Sequence, residues 1–252
     1  MPRRLGQHFL RPAWVARLLE VIAPSDDHVF LEIGAGMGAL TLPLAARAGR
    51  VVAVELDSSL AQGLAARAPG NVTIVQGDAL ALDLGGLVPA NARLVGNLPY
   101  YISSPLLRRF LSLRRHLADV HVMLQEEVAR RVVAPPGGKE YGILSVLYAL
   151  CCETDCALSL PPSAFAPPPK VRSALLRARF LKEPRADVLP EKLEELLRAA
   201  FSRRRRTLEN NLRDRYANLK ENLRFLNIEG SRRPETLSVG EFASLARLLM
   251  PR

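Results

Sequence analysis

From residue 29 onward the chain alternates short, almost continuously apolar runs with stretches in which apolar positions recur every three or four residues. The runs at 29–33, 51–56, 72–75, 94–95 and 120–124 are rich in Val, Leu and Ile with few polar interruptions, the pattern of strands covered on both faces. Helix-period segments between them supply the cover, so the spacing predicts an open, largely parallel, doubly wound α/β sheet. Residues 171–180 alternate more openly, with Arg172, Arg177 and Arg179 interleaved, and follow a proline-rich stretch at 161–169. That suits a last strand of the sheet entered through a rigid loop. Beyond Glu183-Pro184 the strand signal stops. Helix-period stretches run over 190–201, 203–216 and 237–249, the last opened by Ser238 with Glu241 three residues on, a capping box. The expected organisation is an α/β domain over 1–181 and a small all-α domain over 182–252, with no internal repeat.

Composition narrows the class of partner. A chain of 252 residues holds one large core with room for an appendage, and 48% hydrophobic with 24% charged residues argues against extensive disorder. The formal net charge of +10 and the pI near 10.1 point to a polyanionic partner or an anionic membrane surface, nucleic acid first. Residues 181–252 carry 16 basic and 11 acidic side chains, so the tail is the more basic part per residue. The N-terminus has Arg3 and Arg4 but no apolar segment behind them, and no apolar run is long enough to span a bilayer. The expectation is a cytoplasmic chain with no membrane association. Cys151, Cys152 and Cys156 cluster with no histidine beside them, which fits reduced cysteines and neither a disulfide framework nor a metal site.

The candidate chemistry sits at the ends of the expected strands. Leu31-Glu32-Ile33-Gly34-Ala35-Gly36-Met37-Gly38 leads a strand through a glycine-rich turn into a helix expected at 39–46, where the backbone must turn sharply and let a ligand approach. Glu55 ends the second strand about 20 residues on, where an acid commonly accepts from ribose hydroxyls. Asp78 ends the third, placed to accept from an adenine amino group. Two acids at the ends of successive strands favour a nucleoside ligand, and leave a nicotinamide cofactor and S-adenosylmethionine both open.

The fourth strand separates them. It ends in Asn97-Leu98-Pro99-Tyr100, whose residue types suit methylation of an amino group. An exocyclic adenine nitrogen is a poor nucleophile because its lone pair is delocalised into the ring. The side-chain oxygen of Asn97 and the carbonyl of Leu98 can accept its two hydrogens and favour a pyramidal nitrogen. Pro99 fixes the convergence of the acceptors, and Tyr100 offers a face for the base.

With these motifs in order, the chain resembles the ribosomal RNA adenine dimethyltransferase family, in particular its bacterial small-subunit type. The matches are Leu5-Gly6-Gln7-His8-Phe9-Leu10, the glycine loop at 32–41, Gly77-Asp78-Ala79, Asn97-Leu98-Pro99-Tyr100, and segments 125–131, 141–146 and 165–173. The tail adds 200–208 with Asn210-Asn211-Leu212. The resemblance implies a Rossmann-like class I methyltransferase using S-adenosylmethionine and no metal. It implies dimethylation of two adjacent adenines near the 3′ end of 16S rRNA, within the small ribosomal subunit or its precursor. It also implies cofactor contacts from Gln7, His8, Leu10, Gly34, Ala35, Gly36, Glu55, Leu56, Asp78, Ala79 and Asn97, with Phe165 packing on the flipped adenine opposite Tyr100. One departure is His8, where many members have asparagine; both donate a hydrogen bond, and the histidine adds a pH dependence.

The run Arg203-Arg204-Arg205-Arg206 is too long for one helical face, and in a basic chain it is assigned to RNA phosphates. Three other readings remain: a 23S rRNA adenine methyltransferase, a non-catalytic ribosome-assembly factor, and a nicotinamide dehydrogenase. The last gives no role to residues 97–100. No dimerisation stripe is visible, so a monomer is expected.

Overall fold

In a computed structural model, which describes residues 8–203 and 205–250, the apolar runs become neighbours in one seven-stranded sheet. The chain opens with β1 (Phe9–Leu10) and α1 (Pro12–Ile22), followed by β2 (Val29–Ile33), α2 (Thr41–Ala45), β3 (Arg50–Glu55), α3 (Ser58–Ala65), β4 (Val72–Gln76) and β5 (Ala92–Asn97). Then come α4 (Ser103–Ser112), β6 (Leu117–Gln125), α5 (Glu126–Val133), α6 (Ile143–Cys151), β7 (Cys152–Leu160), β8 (Phe165–Ala166) and β9 (Ser173–Phe180). The sheet order is β4-β3-β2-β5-β6-β9-β7. Pairs β2–β3, β2–β5, β3–β4 and β5–β6 are parallel, and β6–β9 is antiparallel. Phe30, Leu31, Val51, Ala53, Leu94 and Val95 are fully buried, which is why these strands read as unbroken apolar runs. The chain winds outward from β2 through β3 to β4, then returns to β5 on the other side of β2. The carboxyl ends of β2 and β5 therefore flank a topological switch point, where ligands of such sheets bind.

The described chain divides into two compact units, one running to Ala129 and including Thr154–Phe180, the other comprising Arg130–Glu153 and everything from Leu181 on. This corrects the single boundary at 181/182: residues 130–153 belong with the helical unit. Tyr141, Tyr148, Val146 and Leu150 are buried, Tyr141 lies edge-on to Phe201 at 6.4 Å, and Phe201 lies 5.7 Å from Phe242. The remaining helices of that unit are α7 (Pro190–Ala200), α8 (Leu208–Leu212), α9 (Leu219–Phe225) and α10 (Val239–Leu249). The capping box opens α10: Glu241 N donates to Ser238 Oγ (3.2 Å) and Ser238 N to Glu241 Oε2 (2.7 Å).

The helix expected over 203–216 is shorter. Thr207 adopts an extended conformation and its hydroxyl accepts from Asn210 N, so α8 starts only at Leu208. Before it Arg203, Arg205 and Arg206 are exposed, with Arg206 N donating to Arg203 O (3.0 Å) and Asn211 Nδ2 to the carbonyls of Ala200 (2.6 Å) and Arg203 (3.2 Å). Among the described residues no helix is long and apolar enough to cross a membrane, and no cluster of His, Cys, Asp and Glu is arranged to hold a metal.

Candidate active site

Four strand ends and the short β1 segment build one cavity. The glycine loop leaves β2 with Gly34 at φ +78°, a conformation that L side chains rarely adopt, and a Cβ there would also stand 3.4 Å from the backbone oxygen of Asn97. The loop closes onto the neighbouring strand through Gly34 N donating to Val54 O (2.9 Å). Glu55, at the end of β3, is buried, and its two carboxylate oxygens accept from Gly36 N (2.7 Å) and Asp57 N (3.0 Å). Each oxygen keeps lone-pair capacity for a hydroxyl. Asp78, beyond β4, is fixed by Leu80 N donating to Oδ1 (2.8 Å).

Asn97 ends β5. Its Nδ2 donates to the carbonyl of His8 (2.7 Å). A carbonyl only accepts, so this bond fixes which way the amide lies and leaves Oδ1 as the free acceptor. Leu98 N donates to Met123 O (3.2 Å), holding the loop to β6, and Pro99 sits at φ −58° and ψ 129°. Tyr100 shares a 2.8 Å hydrogen bond with the fully buried Ser173 hydroxyl, and burial pushes its phenol up. The antiparallel register Gln125↔Ser173 puts that serine at the carboxyl end of β6. His8 stacks on Tyr100 at 5.8 Å with 30° between the rings. Its Nδ1 lies 2.8 Å from Pro167 O, so Nδ1 carries the proton.

His8, Leu10, Gly34, Ala35, Gly36, Glu55, Leu56, Asp78, Ala79, Asn97, Leu98, Pro99 and Tyr100 all line this cavity. Gln7 and Arg204 lie outside the described residues. Phe165, expected against the flipped adenine, is not among the lining residues. It pairs with Leu10 in the two-stranded β1–β8 ribbon and is fully buried, while the next residue, Ala166, is exposed. Strand alternation turns the phenylalanine into the core, and it does not line the cavity. Arg203, Arg205 and Arg206 are exposed in the second unit.

Among the lining residues that sequence reasoning did not single out are Tyr101 and Glu32. Tyr101 follows Tyr100 and is 60% exposed. Glu32 stands in the glycine-loop motif, and its signal is a carboxylate inside an apolar strand. It is 2% exposed and its Oε2 has no hydrogen-bond partner. Burial pushes its carboxyl up to about 7, with the Glu55 charge adding and the Thr41 hydroxyl opposing. Thr41 Oγ1 itself makes no hydrogen bond, so it acts only as a nearby dipole. The lining thus includes Glu32, Glu55 and Asp78, and neither Lys nor Arg among the described residues. In a chain of net charge +10, such a cavity suits a cationic ligand with hydroxyl and amino groups, as S-adenosylmethionine is.

A mostly parallel seven-stranded sheet wound about a switch point, whose glycine loop and strand-end acids meet the Asn97-Leu98-Pro99-Tyr100 loop in one cavity, defines a class I methyltransferase fold, whose methyl donor is S-adenosylmethionine. The family model described as ribosomal RNA adenine dimethylase matches residues 2–250, and the chain belongs to that family. It is 41% identical over 250 residues to ribosomal RNA small subunit methyltransferase A of Legionella pneumophila (strain Corby), covering 98% of this chain and 97% of that one. Among solved structures it is similar to a dimethyladenosine transferase from Plasmodium falciparum, with a TM-score of 0.80 and 25% identity over 94% of this chain and 96% of that one. It is also similar to the 23S rRNA methyltransferase ErmE, with a TM-score of 0.72 and 26% identity over 96% and 99% of the two chains.

Proposed function

We propose that this chain dimethylates N6 of two adjacent adenines in a hairpin loop near the 3′ end of 16S rRNA, in the small ribosomal subunit or its precursor. In this reading it works in the cytoplasm as a monomer, and its action accompanies small-subunit biogenesis. The observation that carries the proposal is the locked amide of Asn97: its Nδ2 is committed to His8 O, so Oδ1 is presented as an acceptor. The similarity to a relative named for the small subunit supports that substrate over the large one.

S-adenosylmethionine, when bound, supplies an electrophilic methyl carbon with a neutral thioether as leaving group. The residues of the chain hold the adenine amine in line with it. In the first transfer Asn97 Oδ1 and the Leu98 carbonyl accept the two N6 hydrogens, in the second they accept the one that remains, and each time they stabilise the positive charge that develops on nitrogen until its proton leaves to water. Tyr100 offers the ring face that His8 leaves uncovered, and its hydrogen bond to Ser173 fixes the plane in which the base stacks. Glu55 and Asp78 orient the ribose and adenine of the donor. Positioning of this kind converts two encounters into one and needs no nucleophilic side chain.

The test is transfer of labelled methyl from S-adenosylmethionine to unmethylated small subunits, with large subunits as control, followed by nucleoside analysis. N6,N6-dimethyladenosine in the small subunit supports the proposal. Label confined to the large subunit selects the 23S-type activity, and no label in either leaves a binding factor without this chemistry.

A further inference from the structure

Tyr101 is not used by the mechanism above. It lies in the 3-10 turn Tyr100–Ile102, where successive side chains point about 120° apart. Tyr100 turns inward and is tied to Ser173. Tyr101 lines the same cavity yet is 60% exposed, so its ring stands at the mouth. No ring or cation partner occupies it among the described residues. The turn is held firmly: Ile102 N donates to Pro99 O (3.2 Å) and Ser103 Oγ to Tyr100 O (2.9 Å). A rigid aromatic ring at the entrance to a base-binding cavity is a stacking surface already in place.

Drawing one base out of RNA leaves its neighbour with an uncovered face. We propose that Tyr101 stacks on the nucleobase next to the one in the cavity and so acts as a positioning residue for the RNA. This deepens the reading just given and rests on it. Where the two targets are adjacent adenines, the base on Tyr101 is the adenine waiting its turn while its neighbour is methylated.

The test compares Tyr101→Ala, Tyr101→Phe and Tyr101→Trp with the unaltered protein in three measurements. These are binding of a labelled single-stranded oligoadenylate, KM and kcat on unmethylated small subunits, and affinity for S-adenosylmethionine. Base–aromatic stacking is worth about 1–3 kcal/mol, at tenfold per 1.4 kcal/mol. Tyr101→Ala is therefore expected to weaken oligoadenylate binding and raise KM about 5- to 140-fold. Its kcat and cofactor affinity should stay within about twofold, and Phe and Trp should restore binding. An unchanged Tyr101→Ala overturns the proposal, as does Phe behaving like Ala, cofactor affinity falling in parallel, or an unaltered protein that does not bind oligoadenylate. If small subunits accept no methyl group, the proposed function falls, while oligoadenylate binding still decides the role of Tyr101.

Discussion

At the scale of single residues, Glu32 shows a cost that the fold tolerates inside its cofactor cavity. A carboxyl moved from an ordinary 4.5 to about 7 penalises the folded state by about 3 kcal/mol once ionised. Because the folded value lies above the unfolded one, the folded state holds the proton more tightly. The penalty is absent below pH 4.5, grows through the window to 7, and is complete above it. Glu32→Gln, which cannot ionise, should therefore gain stability relative to the unaltered protein as pH rises from 5 to 8, by up to about 3 kcal/mol in urea unfolding without cofactor. A pH-independent difference would mean that the fold does not bear the ionisation of Glu32. Asn97 makes the opposite case, a residue whose proposed role lies in the reaction. Removing one preorganised donor of an oxyanion hole typically costs about 100- to 1000-fold in turnover, and an acceptor aimed at a developing positive charge works by the same electrostatics with the sign reversed. Asn97→Ala should lose that much kcat on small subunits with the KM for the particle unchanged, and near-normal kcat would refute its role.

At the scale of elements, β5 and β6 carry the site on a strand pair that tolerates little change. Gly96 precedes Asn97, and a Cβ there would stand 2.5 Å from the backbone oxygen of Ile33 in β2. No rotamer relieves a contact with backbone, so Gly96→Ala should cost more than about 2 kcal/mol and displace Asn97 as well. Circular dichroism melts would show the first effect and turnover the second. Lower on the same pair, Arg93 and Asp119 face each other across β5 and β6, with Arg93 Nη2 2.9 Å from Oδ2 and His121 Nδ1 3.2 Å from Oδ1. Burial works to raise the Asp119 carboxyl, but His121 and Arg93 outweigh it and hold it below the ordinary value. A depressed folded value gives stability that is present above the unfolded pKa and lost as pH falls through the folded one. Asp119→Ala leaves a guanidinium that is 11% exposed with the Ala23 carbonyl and the His28 ring as remaining polar partners and should cost about 3 kcal/mol at neutral pH, while shortening the acid limb of the stability curve. The same elements show what was legible in the sequence. The span 29–33 matches β2 because both its faces are buried, and the place of Glu55 and Asp78 in the cavity lining was legible because parallel strands end at a common crevice. Strand β7 was not, since an edge strand bearing Glu153 and Asp155, with only its two end residues buried, reads as loop. The placement of Phe165 was also illegible, because the facing of a two-residue strand depends on a partner 155 residues away, Leu10.

At the scale of the whole molecule, electrostatics is divided between two tasks. The chain carries +10 overall, yet its cavity is lined by Glu32, Glu55 and Asp78, so the positive charge that would attract RNA lies elsewhere. The assignment of residues 203–206 to phosphate binding rests on charge and exposure: Arg203, Arg205 and Arg206 project from a turn that Thr207 and Asn211 shape, rather than lying along a helix. A turn can present neighbouring arginines to successive phosphates without the 100° dispersion a helix imposes. Every arginine that neutralises a phosphate should, when removed, lower the slope of log affinity against log salt by about 1. Arg203, Arg205 and Arg206 replaced together by alanine should therefore weaken binding of 16S rRNA fragments across sequences and flatten the salt dependence by about 2–3. The melting temperature should stay close to that of the unaltered protein, since these side chains are exposed, and kcat at saturating RNA should be retained. Titrations at several salt concentrations read the slope directly: a slope that does not change would show the run to be solvated surface and move the basic RNA-binding role to other arginines of the helical unit.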